Sequence, residues 1–227
     1  MANKPPVARS DEIGQFLQAA KKHPLQMTTA NRLIFAMDAT ASRELTWDLA
    51  TSLHGELFNA AKSANLAVQL VHFGGFNSFH ASSWNSSPAQ LLLEMQSVRC
   101  LGGMTQIGRV LTHVLNEAAG SQTVKAAVYI GDMCEEPMLE LVSMAGQLGL
   151  RQVPVFAFQE GQDRYATEVF RSIADRSGGA HMPFEAGSAT QLAELLKAAV
   201  VYATEGIDAV KRLGTATSRK LLTQIKH

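Results

Sequence analysis

The sequence predicts an α/β domain of three layers: a doubly wound, mostly parallel sheet with one antiparallel strand at its edge. Three observations carry this. Strand-like and helix-like stretches alternate from about residue 32 to residue 203, the pattern of a sheet covered by helices on both faces. The run Leu33-Ile34-Phe35-Ala36-Met37 is unbroken and apolar, as a central strand buried on both sides requires. Residues 66–73 and 76–82 are two β-rich runs around Gly74-Gly75, a dipeptide suited to the positive φ angles of a tight hairpin, so one strand must run backwards.

The remaining elements follow in order. Ser10 is placed to cap a short helix with Ile13, Phe16, Leu17 and Ala20 on one side, ending before Pro24. Residues 1–30 are therefore expected to form a helical extension. The first strand ends at Asp38, and Leu45, Leu49, Leu53, Leu57 and Ala61 then recur at the spacing of one helical face, giving a helix over about 43–63. Directly after Thr105, Ile107, Val110, Leu111, Val114, Leu115 and Ala118 fill an amphipathic helical pattern without a miss. Ala126-Ala127-Val128-Tyr129-Ile130 is a second buried strand that ends at Gly131-Asp132. Pro137 then suits the opening of a helix that runs to about residue 148. Residues 153–158 form a third strand, Gly178-Gly179 leads into a weaker one at 181–184, and a helix over 189–204 closes the core of a domain spanning 31–204. Residues 205–227 form a basic tail, with Lys211, Arg212, Arg219, Lys220 and Lys226 and no acid beside them, expected as a solvated tail or helix.

Composition excludes several classes of partner. A chain of 227 residues that is 46% hydrophobic and 18% charged can bury one substantial core. Twenty basic residues balance twenty acidic ones, which leaves no broad field to recruit nucleic acid or an anionic membrane. The start, Met1-Ala2-Asn3-Lys4-Pro5-Pro6, leads into no apolar run of signal-peptide type, and no segment is apolar over a bilayer's width, so the expected location is the cytoplasm. Cys100 and Cys134 are the only cysteines, too few for a disulfide framework and without metal-ligand spacing, and are expected as reduced thiols.

Three separated stretches form a candidate site: Asp38-Ala39-Thr40-Ala41-Ser42, Gly102-Gly103-Met104-Thr105 and Gly131-Asp132. In a parallel sheet the loops at the carboxyl ends of the strands converge, and ligands bind where the strand order reverses. Asp38 and Asp132 occupy that position, and Thr105, just before a helix, falls on the same rim. Two carboxylates with the hydroxyls of Thr40, Ser42 and Thr105 suit a hard cation such as Mg²⁺, or Mn²⁺ or Ca²⁺ in its place, bound through oxygen with water completing the sphere.

On these residues the sequence resembles the von Willebrand factor A (VWA) domain family, a Rossmann-like fold. Its metal-ion-dependent adhesion site (MIDAS) has the pattern DxSxS, then a Thr, then an Asp. Asp38, Thr40 and Ser42 match the first element with one Ser-to-Thr change that keeps the hydroxyl, Thr105 matches the second and Asp132 the third. The likeness extends to the Gly74-Gly75 hairpin and to Ile173-Ala174-Asp175-Arg176-Ser177-Gly178-Gly179, and covers roughly residues 31–203. It implies a non-catalytic protein-interaction module. Thr40, Ser42 and Thr105 would be hydroxyl ligands of the cation, and Asp38 and Asp132 would act directly or through water. A partner's Asp or Glu would complete the coordination. The partners implied are proteins of larger assemblies, an ATPase among them.

Taken singly, Ser42, Thr105 and Asp132 read as helix caps or turn formers, and only their joint order favours a site. Cys100 and Cys134 read as buried small side chains, and His54, His72, His80, His113 and His181 as packing or surface residues. Met104 and Met133 read first as core filling and second as an apolar rim. Glu135 and Glu136 read as the acidic start of the helix that follows them. The alternative functions are a VWA-like scaffold that binds its partner without metal and a haloacid-dehalogenase-like, Mg²⁺-dependent phosphatase with Asp38 as nucleophile, for which Asp38, Thr105, Lys125 and Gly131-Asp132 stand in a compatible order. Such an enzyme wants a second acid two residues after the nucleophile to protonate the leaving group. That position is Thr40.

Overall fold

The computed structural model describes residues 31–43, 58, 66–120, 123–185 and 188–225. The helical extension expected before residue 31 and, apart from Phe58, the helix expected over 43–63 lie outside them.

Six strands form one sheet: β1 (Arg32–Asp38), β2 (Ala67–Gly74), β3 (Ser78–Ala81), β4 (Val124–Gly131), β5 (Val155–Glu160) and β6 (Ala180–Phe184). Their order is β3-β2-β1-β4-β5-β6, with β3 antiparallel to β2 at the edge and every other pairing parallel. The sheet has a core on each face because side chains alternate along a strand. Leu33, Phe35 and Met37 of β1, Ala126, Val128 and Ile130 of β4, and Phe156 and Phe158 of β5 face one side. Ile34 and Ala36, Ala127 and Tyr129, and Val155 and Ala157 face the other. This double burial is why the strands read as unbroken apolar runs.

The first face is covered by α1 (Pro88–Ser97) through Leu91 and Met95, by the long α5 (Ala189–Glu205), and by Phe58, whose ring meets Phe35 edge-on at 6.3 Å. The second is covered by α2 (Ile107–Glu117), α3 (Met138–Leu150) and α4 (Arg164–Ser177). Sequence reading named neither α1 nor α4. Yet Pro88 opens α1, and α4 has the Asp163 carboxylate as its cap and Ala166, Val169, Phe170 and Ile173 at helical spacing.

Two local expectations are corrected. The hairpin turn is the three residues Gly75, Phe76 and Asn77, not Gly74-Gly75, because Gly74 still pairs with Ser78 in the ladder. The positive φ angles fall at Gly75 (60°) and Asn77 (61°). The basic segment after residue 205 contains α6 (Ile207–Leu213) and α7 (Ala216–Leu222), whose Val210 and Leu221 join the first core. It does have acids beside its bases: Lys211 pairs with Asp208 at 2.8 Å and Arg212 with Glu205 at 3.3 Å.

A polar network sits in the otherwise apolar layer between β5, β6 and α4. Gln159 Oε1 meets His181 Nε2 at 2.9 Å and accepts from Thr167 Oγ1, while Gln224 Oε1 accepts from the His181 amide. Burial, assisted by the Arg171 charge, pulls the His181 pKa from 6.5 down to about 4, and burial with the His80 charge does the same to His72. A histidine kept neutral in the fold but free to protonate when unfolded contributes stability that is whole above pH 6.5 and is lost as pH falls towards 4. Urea unfolding across that range is therefore expected to show falling stability, with a shallower pH slope for His181→Gln. An unchanged slope in that variant would place the proton uptake elsewhere.

Candidate metal centre

The strand order reverses beside β1: the chain steps from β1 to β2 on one side and returns to β4 on the other. Asp38 is the last residue of β1, and Met37 lies beside Ile130, so Asp132 leaves β4 at the same rim. The loop carrying Thr105 is laced between its neighbours. Leu101 N donates to Ala39 O (3.0 Å), Gly75 N donates to Leu101 O (3.0 Å), and Thr40 bridges to Leu101 in parallel register. Two glycines permit this closeness. A Cβ on Gly74 would stand 2.5 Å from Ala39 O, and one on Gly103 would stand 2.1 Å from Gly75 O.

The five expected residues thus share one rim. Asp38 is fully buried, and its Oδ1 accepts from the Thr40 amide at 2.7 Å. The hydroxyls of Thr40 and Ser42 are 3.1 Å apart. Thr105 is locked to Glu135 by reciprocal bonds: its amide donates to Glu135 Oε2 (2.9 Å), and its Oγ1 accepts from the Glu135 amide (3.0 Å). Neither Thr105 nor Asp132 caps a helix; the cap positions of α2 and α3 belong to Gln106 and Pro137.

Glu135 and Glu136 act on a different helix from the one expected. Glu136 accepts from the amides of Ile107 (2.5 Å) and Gly108 (2.8 Å), so its carboxylate caps the first turn of α2 from across the loop. Burial raises its pKa, and those amide bonds oppose the rise. The acids after β4 therefore hold the Thr105 loop and α2 in place beside Asp132.

At this rim, two buried carboxylate oxygens have no hydrogen-bond partner among the described residues, Asp38 Oδ2 and Asp132 Oδ1; the Tyr129 hydroxyl on β4 and Glu94 Oε2 on α1 also have none. Burial drives the Asp38 pKa up to about 6; the Asp132 charge pushes the same way, against the Thr40 hydrogen bonds and the Arg43 charge. Leaving such oxygens buried and unmatched is unfavourable by about 1–3 kcal/mol each. A cation beside them would relieve it. No group of three His, Cys, Asp or Glu side chains converges among the described residues, so the donor set is two carboxylates with hydroxyls, all of it hard oxygen. The residues present fit a hard divalent cation.

Sequence reading missed Arg43. Its side chain is 1% exposed and pairs with Glu160, at the end of β5, at 3.2 Å. It is also close enough to Asp38 to lower its pKa. An arginine one residue after a hydroxyl and near a helix start carries no local sign of burial. Met104 and Met133, read first as core filling, are instead 65% and 45% exposed. Cys134 is buried, which raises its thiol pKa to about 11, and Cys100 is half-buried; neither is in a disulfide among the described residues.

No protein-family model matches the chain, and no curated protein matches it by sequence. Solved structures do. The SpRpn10 VWA domain aligns over 72% of this chain and 95% of its own at a TM-score of 0.58, with 11% identity. The chain has the fold of VWA domains. BatB from Bacteroides thetaiotaomicron aligns over 74% of this chain and 97% of its own, at a TM-score of 0.56 and 14% identity. Proximal thread matrix protein 1 from the mussel byssus, in a structure with a zinc-occupied MIDAS motif, has a TM-score of 0.59 at 15% identity. There the match covers 75% of this chain and 46% of the mussel protein. Identities this low speak for the fold alone. No helix among the described residues is long and apolar enough to cross a membrane.

Proposed function

We propose that this VWA domain is a non-catalytic protein-interaction module that holds Mg²⁺, or a comparable hard divalent cation, at Asp38, Thr40, Ser42, Thr105 and Asp132, and that a partner's Asp or Glu completes the coordination. The observation that carries this reading is the pair of buried carboxylate oxygens, Asp38 Oδ2 and Asp132 Oδ1, left without partners at the reversal of strand order. Thr40, Ser42 and Thr105 provide neutral oxygens beside them. Magnesium held mostly by hydroxyls and water keeps an exchangeable position, and an incoming carboxylate supplies the charge that the site lacks.

The chain's own residues set the geometry. Arg43 holds the floor of the site, Glu135 fixes Thr105, and Glu136 fixes the start of α2. The phosphatase alternative loses support on two counts. Thr40 stands where the leaving-group acid is needed. Lys125 lies at the opposite end of the sheet, beside Arg32 and Leu33, about 20 Å from Asp38 at the rise of an extended strand.

The test is thermal and urea unfolding of the purified chain with Mg²⁺ and with chelator. Mg²⁺ at a hundred times its Kd is expected to add about 2.7 kcal/mol. Asp38→Ala and Thr105→Ala are expected to remove that gain while leaving a folded domain. Equal stabilisation of both variants by Mg²⁺ would sink the assignment of these ligands, and no stabilisation of the parent would favour a metal-independent scaffold. Magnesium-dependent turnover of a phosphoester panel, abolished by Asp38→Asn, would restore the phosphatase.

A further inference from the structure

Phe76 is fully exposed at the tip of the β2–β3 hairpin. A large aromatic in water at the end of a loop is unremarkable if the loop is loose, but this one is pinned. Arg109 Nη1 donates to Asn77 O (3.0 Å) and Asn77 Oδ1 (2.9 Å), and its guanidinium lies 4.8 Å over the Phe79 ring. Gln106 Nε2 donates to Ser78 O (3.1 Å), and the Gly75 amide is tied to Leu101 O. The hairpin is thereby fastened to α2 on one side and to the Thr105 loop on the other. A rigid, exposed aromatic loses little entropy when it docks, which is the property of an interface anchor.

Its neighbours continue the surface. A Cβ on Gly75 would be 3.3 Å from the Leu101 side chain, which is itself 53% exposed. Met104 follows, next to Thr105, and Met133 lies beyond the Thr105–Glu135 pair. Exposed apolar side chains grouped around a binding position mark an interaction surface. The segments 74–78, 100–106 and 131–136 contain no Lys or Arg, and their charges are those of Asp132, Glu135 and Glu136. With a cation at the centre a carboxylate is drawn there, the exposed Arg109 beside the hairpin adds to that attraction, and the large exposed side chains nearest the position are apolar.

We propose that Phe76, Leu101 and Met104 form an apolar ledge beside the metal position, and that the ledge takes a protein segment in which an Asp or Glu is directly flanked by large apolar side chains. The proposal rests on the metal reading above and adds the chemistry of the flanking residues. It is tested on an array of short peptides with a fixed Asp whose neighbours are Leu and Phe or, in the matched set, Ser. The purified chain is applied with Mg²⁺ or with chelator. The apolar-flanked peptides are expected to retain at least ten-fold more protein, to lose it in chelator, and to lose it with Phe76→Ser, whose Mg²⁺-induced thermal shift stays that of the parent.

Equal retention by Ser-flanked peptides, undiminished capture by Phe76→Ser, or no capture by any peptide would overturn the ledge, while the thermal shift reports separately on the metal. Apolar-selective capture that survives chelator and Asp38→Ala would overturn the combined surface through failure of the metal reading. Self-association of the free chain that Phe76→Ser abolishes would assign the ledge to a second copy and overturn the proposal.

Discussion

Replacing Glu160 with alanine is expected to destabilise the domain by about 3–5 kcal/mol, because it removes from the buried Arg43 guanidinium the carboxylate paired with it and leaves only the nearby Asp38 charge to offset it. Both side chains are almost entirely shielded, 1% and 7% exposed, and stand 3.2 Å apart. For a domain whose whole stability is about 5–15 kcal/mol, that is a third or more. The double replacement Arg43→Met with Glu160→Leu is expected to recover part of the loss, since two apolar groups of similar volume replace the ion pair while Asp38 loses the Arg43 charge beside it. Urea midpoints of the two single variants and the double variant check this. Single variants as stable as the parent would mean that the pair is solvated. The exposed pair Lys211–Asp208, with side chains 53% and 77% exposed, is the contrast; its removal is expected to be barely resolvable.

The pair also shows where sequence reading reaches its limit. The central strands were legible because burial on both faces leaves a local mark, an unbroken apolar run such as 33–37 or 126–130. The helix at 107–117 was legible for the same reason, since its apolar residues fall on one stripe. Asp38, Thr105 and Asp132 could be placed on one rim because parallel strands bring their carboxyl ends together whatever the sequence separation. Nothing local announces a partner that is distant along the chain. Arg43 looks like any charged residue near a helix start until Glu160 is found beneath it, and Glu136 looks like the beginning of α3 until its carboxylate is found on the amides of Ile107 and Gly108. Met104 and Met133 are hydrophobic by type, and only the path of their loops decides that they face water.

The adjacent glycines of the Thr105 loop give the sharpest contrast at the site, because one is needed for closeness and the other is not. A methyl group on Gly103 would meet the backbone of Gly75, 2.1 Å from its oxygen and 2.6 Å from its carbonyl carbon, whereas one on Gly102 would meet nothing within 4 Å. Backbone atoms cannot rotate aside, so Gly103→Ala must separate the Thr105 loop from the hairpin by about 1 Å or more to restore ordinary contact. The hydrogen bond from Gly75 to Leu101 lies at that contact, and Thr105, bonded to Glu135, stands two residues beyond Gly103. Gly103→Ala is therefore expected to lose about 1–3 kcal/mol by overpacking and, in addition, the whole Mg²⁺-induced stabilisation. Gly102→Ala, in a conformation that needs no positive φ, is expected to keep the Mg²⁺ shift and to gain about 0.4–1 kcal/mol through a less flexible unfolded chain. Urea unfolding of both variants with Mg²⁺ and with chelator separates the two effects. If Gly103→Ala retains the parent's magnesium shift, the approach of the loop to the hairpin does not position Thr105, and the hydroxyl must be held by its bonds to Glu135 alone.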